Sequence, residues 1–248
     1  RDFRGDPGGC DCQVISAYLL CDYRVLAVAW VSRSASLDGW LQYFLEVKAL
    51  IDQQRVVVTG MGAITPLGND LATTWAALIA GRSGGGPITS FDASNCKCQI
   101  AAEVKGFDPT VYMPRKEARH ADRYTQFAFA AALQAVEDAG LRLADEAPGR
   151  VGVMIGSGIG GILSLLEQYE VLRTRGPRRV SPFFIPSILA NTATGHVAIH
   201  LGVRGPNLAV VSACASGADA IGTAFEAIRR GAADVMLAGG SEAPICEL

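Results

Sequence analysis

The order of apolar runs along this chain predicts an α/β fold, a mainly parallel mixed sheet flanked by helices. Three observations carry that expectation. From Arg55 onward, short apolar runs alternate with stretches of helical period. The runs "RVVVTGMG", "RVGVMI", "NLAVVSA" and "DVMLAGG" are apolar on both faces, as strands covered by helices on two sides are. Half of the 248 residues are apolar and 19% are charged, which is ample material for a core.

Each element has its own local reason. Residues 1–52 hold three of the seven cysteines, two of the three tryptophans and no clear period, so they are set apart from residues 53–248. "RVVVTGMG" reads as a buried strand ending in a glycine turn. In "NDLATTWAALIAG", Trp75, Leu78 and Ile79 recur at helical spacing and Gly81 supplies a stop. "RSGGGPITSFDASNCKCQ" is dense in turn residues and reads as a loop. A longer helix is expected over "ADRYTQFAFAAALQAVEDAG", with Phe127, Ala131, Leu133 and Val136 on its apolar side and Gly140 at its end. "RVGVMI" is the next strand and "ILSLLEQYEVLRTRG" the next helix. "SPFFIPSILANTATGHVAIHLG" starts as a proline-pinned extended segment and turns helical. "NLAVVSA" is a strand running into Cys214. A helix over residues 218–230 then places Ile221, Ala224, Phe225 and Ile228 on one face. Arg229, Arg230 and Gly231 close it in agreement with the negative end of a helix dipole.

Composition excludes several classes of function. A formal charge of −2 gives no reason to expect nucleic acid or an anionic membrane as partner. No segment approaches the ~20 uninterrupted apolar residues of a spanning helix. The nearest, "AYLLCDYRVLAVAWV", is broken by Asp22 and Arg24 and lacks a signal-peptide cleavage pattern. An odd set of seven cysteines in a chain of this length reads as reduced thiols, which suits the cytoplasm. The pairs Cys10/Cys12 and Cys96/Cys98 are narrower than zinc-site spacing, so no metal is expected.

The stretch "VSACASGADAIG" is the sharpest chemical signal. Cys214 falls where a buried strand turns into a helix N-terminus. Free N–H groups and the positive dipole end favour thiolate there. The same N–H groups suit an oxyanion on an attacked carbonyl. Ala213, Ala215, Ser216 and Gly217 leave room for an acyl group to reach the sulfur. Strand, nucleophile and helix in this order follow the logic of a nucleophile elbow. A buried structural thiol fits the same spacing, because free cysteine packs as a small hydrophobe.

"VSACASGADAIGTAFEAIRRGAADVMLAGGSEA" resembles the active-site segment of the β-ketoacyl-[acyl-carrier-protein] synthases, and most of all the type II elongating enzyme of fatty-acid synthesis. "VVVTGMGAITPLG", "GSGIGG", "SPFFIPSILAN" and "RGPNLAVVSACASG" occur in the family's order and spacing, so the resemblance runs from about Arg55 to the C-terminus. It implies a thiolase-like fold and a Claisen condensation without a cofactor. In that reaction a cysteine takes an acyl chain from a carrier-protein thioester. The acyl-enzyme is then attacked by the carbanion of decarboxylated malonyl carrier protein. Cys214 matches the acylated nucleophile and Ile159, in "GSGIGG", a residue lining the acyl pocket. Phe184, in "SPFFIPS", resembles one that reaches into that pocket from the partner subunit of a homodimer. The basic residues Arg115, Lys116, Arg119 and Arg123 stand near the position the family uses to dock the acidic carrier protein. Non-catalytic relatives, the chain-length factors, lack the cysteine.

Two departures qualify the resemblance. The family's two catalytic histidines, a buried lysine and a gating phenylalanine come from the second half of its domain, and this chain ends at Leu248 with that C-terminal half absent. The chain as it stands is therefore expected to hold the nucleophile and one pocket wall without condensing activity. Its own His120, His196 and His200 read as surface or packing residues. Residues 1–52, in turn, match nothing in the family's usual start. Three rivals remain in view: a non-catalytic carrier-protein-binding fragment or partner subunit, a polyketide-type ketosynthase, and an NAD(P)-dependent oxidoreductase. The last rests on "GSGIGG", which satisfies G-x-G-x-x-G between a strand and a helix. No second strand ending in an acidic residue follows, and close packing explains the glycines equally well.

Overall fold

The computed structural model describes residues 55–248. Gln54–Leu248 is one compact unit, the second of the two into which the chain divides. The expectations placed on residues 1–52, including Cys10/Cys12, lie outside the described residues.

Along the second unit the helices are α1 (Leu71–Ile79), α2 (Arg115–Ala118), α3 (Arg123–Asp138), α4 (Ile162–Arg175), α5 (Phe184–Ile188), α6 (Thr192–Leu201) and α7 (Ser216–Arg229). The strands are β1 (Gly86–Pro87), β2 (Ile100–Ala101), β3 (Val151–Gly156), β4 (Asn207–Leu208) and β5 (Val235–Gly240). The central sheet has the order β4-β3-β5 and is parallel throughout. All six residues of β3 are buried. Alternate side chains explain how: Val153 and Ile155 join a core with α3 and α6, while Met154 faces the other way onto Ala220 and Ala224 of α7. Full burial of each such side chain is worth about 1.5–3 kcal/mol. Helices on both faces of a parallel sheet are what the apolar runs predict.

The helix faces differ from the expected stripes in an instructive way. In α7 the buried residues are Ser216, Ala220, Ala224 and Ala227, whereas Ile221 and Phe225 of the expected apolar face are 54% and 38% exposed. Small side chains let the helix lie close on β3 and β5, and periodicity alone ranks large residues above them. In α3 the buried set is Tyr124, Thr125, Phe127, Ala128, Phe129 and Ala130, so burial is all-round in the first half and partial at Ala131, Leu133 and Val136. In α1 only Ala77 is buried, with Trp75, Leu78 and Ile79 exposed. Gly81, Gly140 and Gly231 end their helices with φ of +64°, +60° and +70°, as expected of glycine stops.

Two expected strands are corrected. "RVVVTGMG" forms no strand, and Val57 and Val58 are 63% and 78% exposed. Its backbone is drawn to α3 instead: Met61 N–H donates to Asp138 Oδ2 at 2.8 Å and Ala63 N–H to Gln134 Oε1 at 3.0 Å. Gly60 and Gly62 permit this, because a Cβ there would stand 2.4 Å from Ala135 O and 2.0 Å from Ala131 O. "NLAVVSA" keeps only Asn207–Leu208 in the ladder, followed by one further bond from Ser157 N–H to Val210 O at 3.2 Å. The expected loop at residues 82–99 contributes to a short antiparallel pair, β1 with β2. No described helix is long and apolar enough to cross a membrane.

Candidate active site

The chain leaves β4 through Val210 and reaches a single 3-10 turn, Ala213–Ala215, that feeds directly into α7. Cys214 sits on that turn with its side chain exposed. Ala213, just before it, has φ of +54° and is the one described non-glycine residue in the left-handed region. Such a backbone costs on the order of 1–3 kcal/mol and persists only where neighbours hold it. They do. Ser216 Oγ donates to Ala213 O at 2.7 Å and accepts from Ser212 N–H at 2.9 Å, while Ser212 Oγ donates to Asp219 Oδ2 at 2.5 Å. Ala215 N–H returns to Ser212 O at 3.2 Å and Ser216 N–H to Ala213 O. Cys214 N–H takes no part in these bonds. The reading of Cys214 as a buried structural thiol is thereby set aside, because exposure and a braced, strained turn present the sulfur rather than pack it.

The glycine-rich turn after β3 lies against this structure. A Cβ at Gly156 would stand 2.2 Å from Ser216 O, and one at Gly158 would stand 3.4 Å from Ala213 O. Gly160 has φ of +77°, and Gly161 approaches α5 with its N–H on Ile188 O at 3.1 Å. Ile159 projects from the turn and is 57% exposed. The turn's amides are already occupied by a side chain the sequence reading missed. Glu242 accepts from Gly158 N–H at 2.5 Å and Ile159 N–H at 3.2 Å, and from Ser157 Oγ at 3.1 Å. The start of α4 is likewise taken, with Ser164 N–H on Asp122 Oδ2 at 2.8 Å. A dinucleotide diphosphate would need these N–H groups and would meet two carboxylates, so the oxidoreductase reading loses its site. Only the isolated carboxylate in "GGSEAP" and the aspartate of "HADRY" mark these two residues in the sequence.

Phe184 begins α5 and lines a cavity of about 300 Å³ together with Arg119, His120, Gln168 and Ser187. Its helix packs the glycine turn that carries Ile159, although the two side chains share neither of the two cavities described. The other cavity, about 540 Å³, is lined by Phe127, Leu163, Ile245 and Glu242 among others. Of the four basic residues, Arg115, Lys116 and Arg119 are exposed around α2. Arg123 is half-buried, its guanidinium 5.1 Å from the Phe107 ring and 4.8 Å from that of Phe127, and it lines both cavities. His120 stacks on Phe183 at 4.0 Å and His200 meets Phe129 edge-on at 4.7 Å. Burial pushes the His196 pKa down, with Glu117 opposing. Cys96 and Cys98 lie on the loop before β2, and Cys98 Sγ donates to Ile100 O at 3.4 Å.

A strained strand-to-helix turn that exposes a thiol, flanked by small residues and a glycine turn, has the arrangement of a nucleophile elbow. Residues 53–248 match the model of the β-ketoacyl synthase N-terminal domain, and the chain belongs to that family. It is 49% identical over 200 residues to 3-oxoacyl-[acyl-carrier-protein] synthase 2 of Synechocystis sp., covering 81% of this chain and 48% of that protein. The enzyme of the same name from Coxiella burnetii is 48% identical over 192 residues, covering 77% of this chain and 46% of that protein. The chain thus spans about half the length of the curated relatives it matches. Among solved structures, the ishigamide ketosynthase/chain length factor matches with a TM-score of 0.72 at 32% identity, over 79% of this chain and 49% of that one. A ketosynthase complex described as a type II PKS acyl-carrier protein with its ketosynthase bound to the hexaketide matches at 0.68 and 26% identity, over 79% and 53%. The thiolase-like ketosynthase fold expected from the sequence is therefore the fold of these neighbours.

Proposed function

We propose that this chain carries the acyl-accepting part of a β-ketoacyl-[acyl-carrier-protein] synthase of fatty-acid elongation. The observation that supports it is the exposed Cys214 thiol on a turn braced by its own hydrogen bonds. Cys214 loses its proton and its sulfur attacks the carbonyl carbon of an acyl thioester on the carrier protein. A new C–S bond forms and the carbonyl oxygen becomes an oxyanion, which Cys214 N–H stabilises. Collapse of that intermediate breaks the carrier's C–S bond, and the departing thiolate takes up the proton. The acyl chain, now a thioester of Cys214, is the electrophile for the carbanion of decarboxylated malonyl carrier protein. In the whole enzyme, condensation with loss of CO2 breaks the C–S bond to Cys214 and releases a thiolate, which regains its proton from water.

The acidic carrier protein docks on Arg115, Lys116 and Arg119, and Ile159 lines the path of the acyl chain. The whole enzyme is a cytoplasmic homodimer without a cofactor, in which Phe184 of each chain reaches the acyl pocket of the other. Near-half identity to proteins named 3-oxoacyl-[acyl-carrier-protein] synthase 2 favours fatty-acid elongation over the polyketide reading, whose type II PKS neighbour matches at 26% identity. The test is to incubate the chain with an acyl carrier protein thioester and measure its intact mass. The acyl increment on the wild type, lost in Cys214→Ala, is the expected result. No increment at any chain length, or one that survives Cys214→Ala, refutes the assignment.

A further inference from the structure

We infer that Glu242 is a positioning residue that aims Ile159 along the approach to Cys214, a role that builds on the acyl-transfer reading above. Glu242 follows β5 by two residues and is half-buried. Its carboxylate holds Gly158 N–H at 2.5 Å, Ile159 N–H at 3.2 Å and the Ser157 hydroxyl at 3.1 Å. Ser157 Oγ in turn accepts from Gly160 N–H at 2.9 Å. Four consecutive residues therefore hang on one side chain. Two converging N–H donors and a hydroxyl call for an acceptor with several lone pairs, which an ionised carboxylate supplies with charge-assisted bonds.

The place of this clamp gives it a role beyond stability. An added Cβ on Gly158 would stand 2.9 Å from Glu242 Oε2 and 3.4 Å from Ala213 O, so the clamped turn touches the residue before the nucleophile. Ile159 is 57% exposed and has little packing of its own to fix its direction. The Cys214 turn, by contrast, is held independently through Ser212, Ser216 and Asp219. Loss of the Glu242 carboxylate thus frees Ile159 while leaving the thiol in place. Discrimination between long and short chains should fall, and reactivity toward a small reagent should not.

Alkylation of Cys214 in the full chain reads this without relying on thioester chemistry. The probes are iodoacetamide and its N-dodecyl derivative, and the measured quantity is the ratio of their rates at Cys214 by peptide mapping. The wild type should favour the long probe, and Glu242→Ala should lower that ratio about tenfold with iodoacetamide reactivity unchanged. Glu242→Gln keeps one acceptor oxygen for both amides and offers an N–H to Ser157, so it should restore the ratio. A purely structural role would slow or speed both probes together. Should Glu242→Ala fail to fold, Ser157→Ala in the same assay and slow exchange of the Gly158 and Ile159 amides in the wild type carry the test. An unchanged ratio in a folded variant, no preference for the long probe in the wild type, or fast exchange of both amides overturns the role. If the ratio falls as expected while acyl carrier protein fails to load Cys214, the positioning stands and the acyl-transfer reading fails.

Discussion

Replacing Gly156 by alanine probes the contact on which the nucleophile turn rests. The new Cβ would stand 2.2 Å from Ser216 O and 2.4 Å from Ser216 C, both backbone atoms that no rotamer change moves aside. Ordinary contact begins near 3.4 Å, so strand and helix must separate by more than an ångström. The strand side resists: Gly156 is in register with Gly240, its carbonyl accepts from Ser241 N–H at 3.0 Å, and Ser157 N–H is bonded to Val210 O. The helix side is held by the Ser216 hydroxyl and by Ala220 and Ala224 against Met154. Overpacking of this kind costs about 1–3 kcal/mol, and the upper end applies because backbone opposes backbone. Urea unfolding should show a lower midpoint at unchanged slope, together with altered iodoacetamide reactivity at Cys214. Gly195→Ala is the control, since nothing lies within 4 Å of its added Cβ and α6 should gain about 0.5–1 kcal/mol. A Gly156→Ala chain as stable as the wild type, with an unaltered thiol, would refute the close approach of β3 and α7.

Asp122 is buried and caps two helices at once, accepting from Tyr124 N–H at 3.2 Å and Ser164 N–H at 2.8 Å, so Asp122→Ala should cost about 2–4 kcal/mol by urea unfolding. Glu103 accepts from the Thr89 and Ser90 side, and bonds there lower its pKa from 4.5 to about 2. Its unfolded form binds protons first, so this contribution is complete above about 4.5 and is lost as pH falls through about 2; Glu103→Gln should flatten that part of the acid unfolding curve. Reversal of Arg115, Lys116 and Arg119 to glutamate should weaken acyl carrier protein binding about tenfold at low salt, and added salt should weaken the wild type. Isothermal titration at two ionic strengths checks both.

The strand-helix alternation, the parallel sheet and the glycine helix stops were legible because each has a local cause in hydrophobic period or backbone conformation. The turn into α7 at Cys214 was legible for the same reason, since small residues and a helical period adjoin it. Other features were not. The burial of Ala220 and Ala227 beside the expected Ala224, with Ile221 and Phe225 left exposed, depends on how closely α7 approaches β3, a tertiary distance that size-ranked periodicity inverts. "RVVVTGMG" carries strand propensity, yet its amides find side chains on α3 and no ladder partner among the described residues. The stacking of Arg123 on Phe107 and Phe127 joins separate parts of the chain that no local pattern links. Glu242 is 84 residues from Gly158 along the chain, so no local pattern ties the two.

The central claim is that residues 212–217 fold to present Cys214 for acylation, and peptide mapping after limiting iodoacetamide tests it most directly. The folded chain is treated at neutral pH with and without prior exposure to an acyl carrier protein thioester. Cys214 should be modified ahead of Cys96, Cys98 and Cys246, and acyl exposure should abolish its labelling alone. Preferential labelling of another cysteine, or labelling of Cys214 that the thioester leaves untouched, would contradict the account.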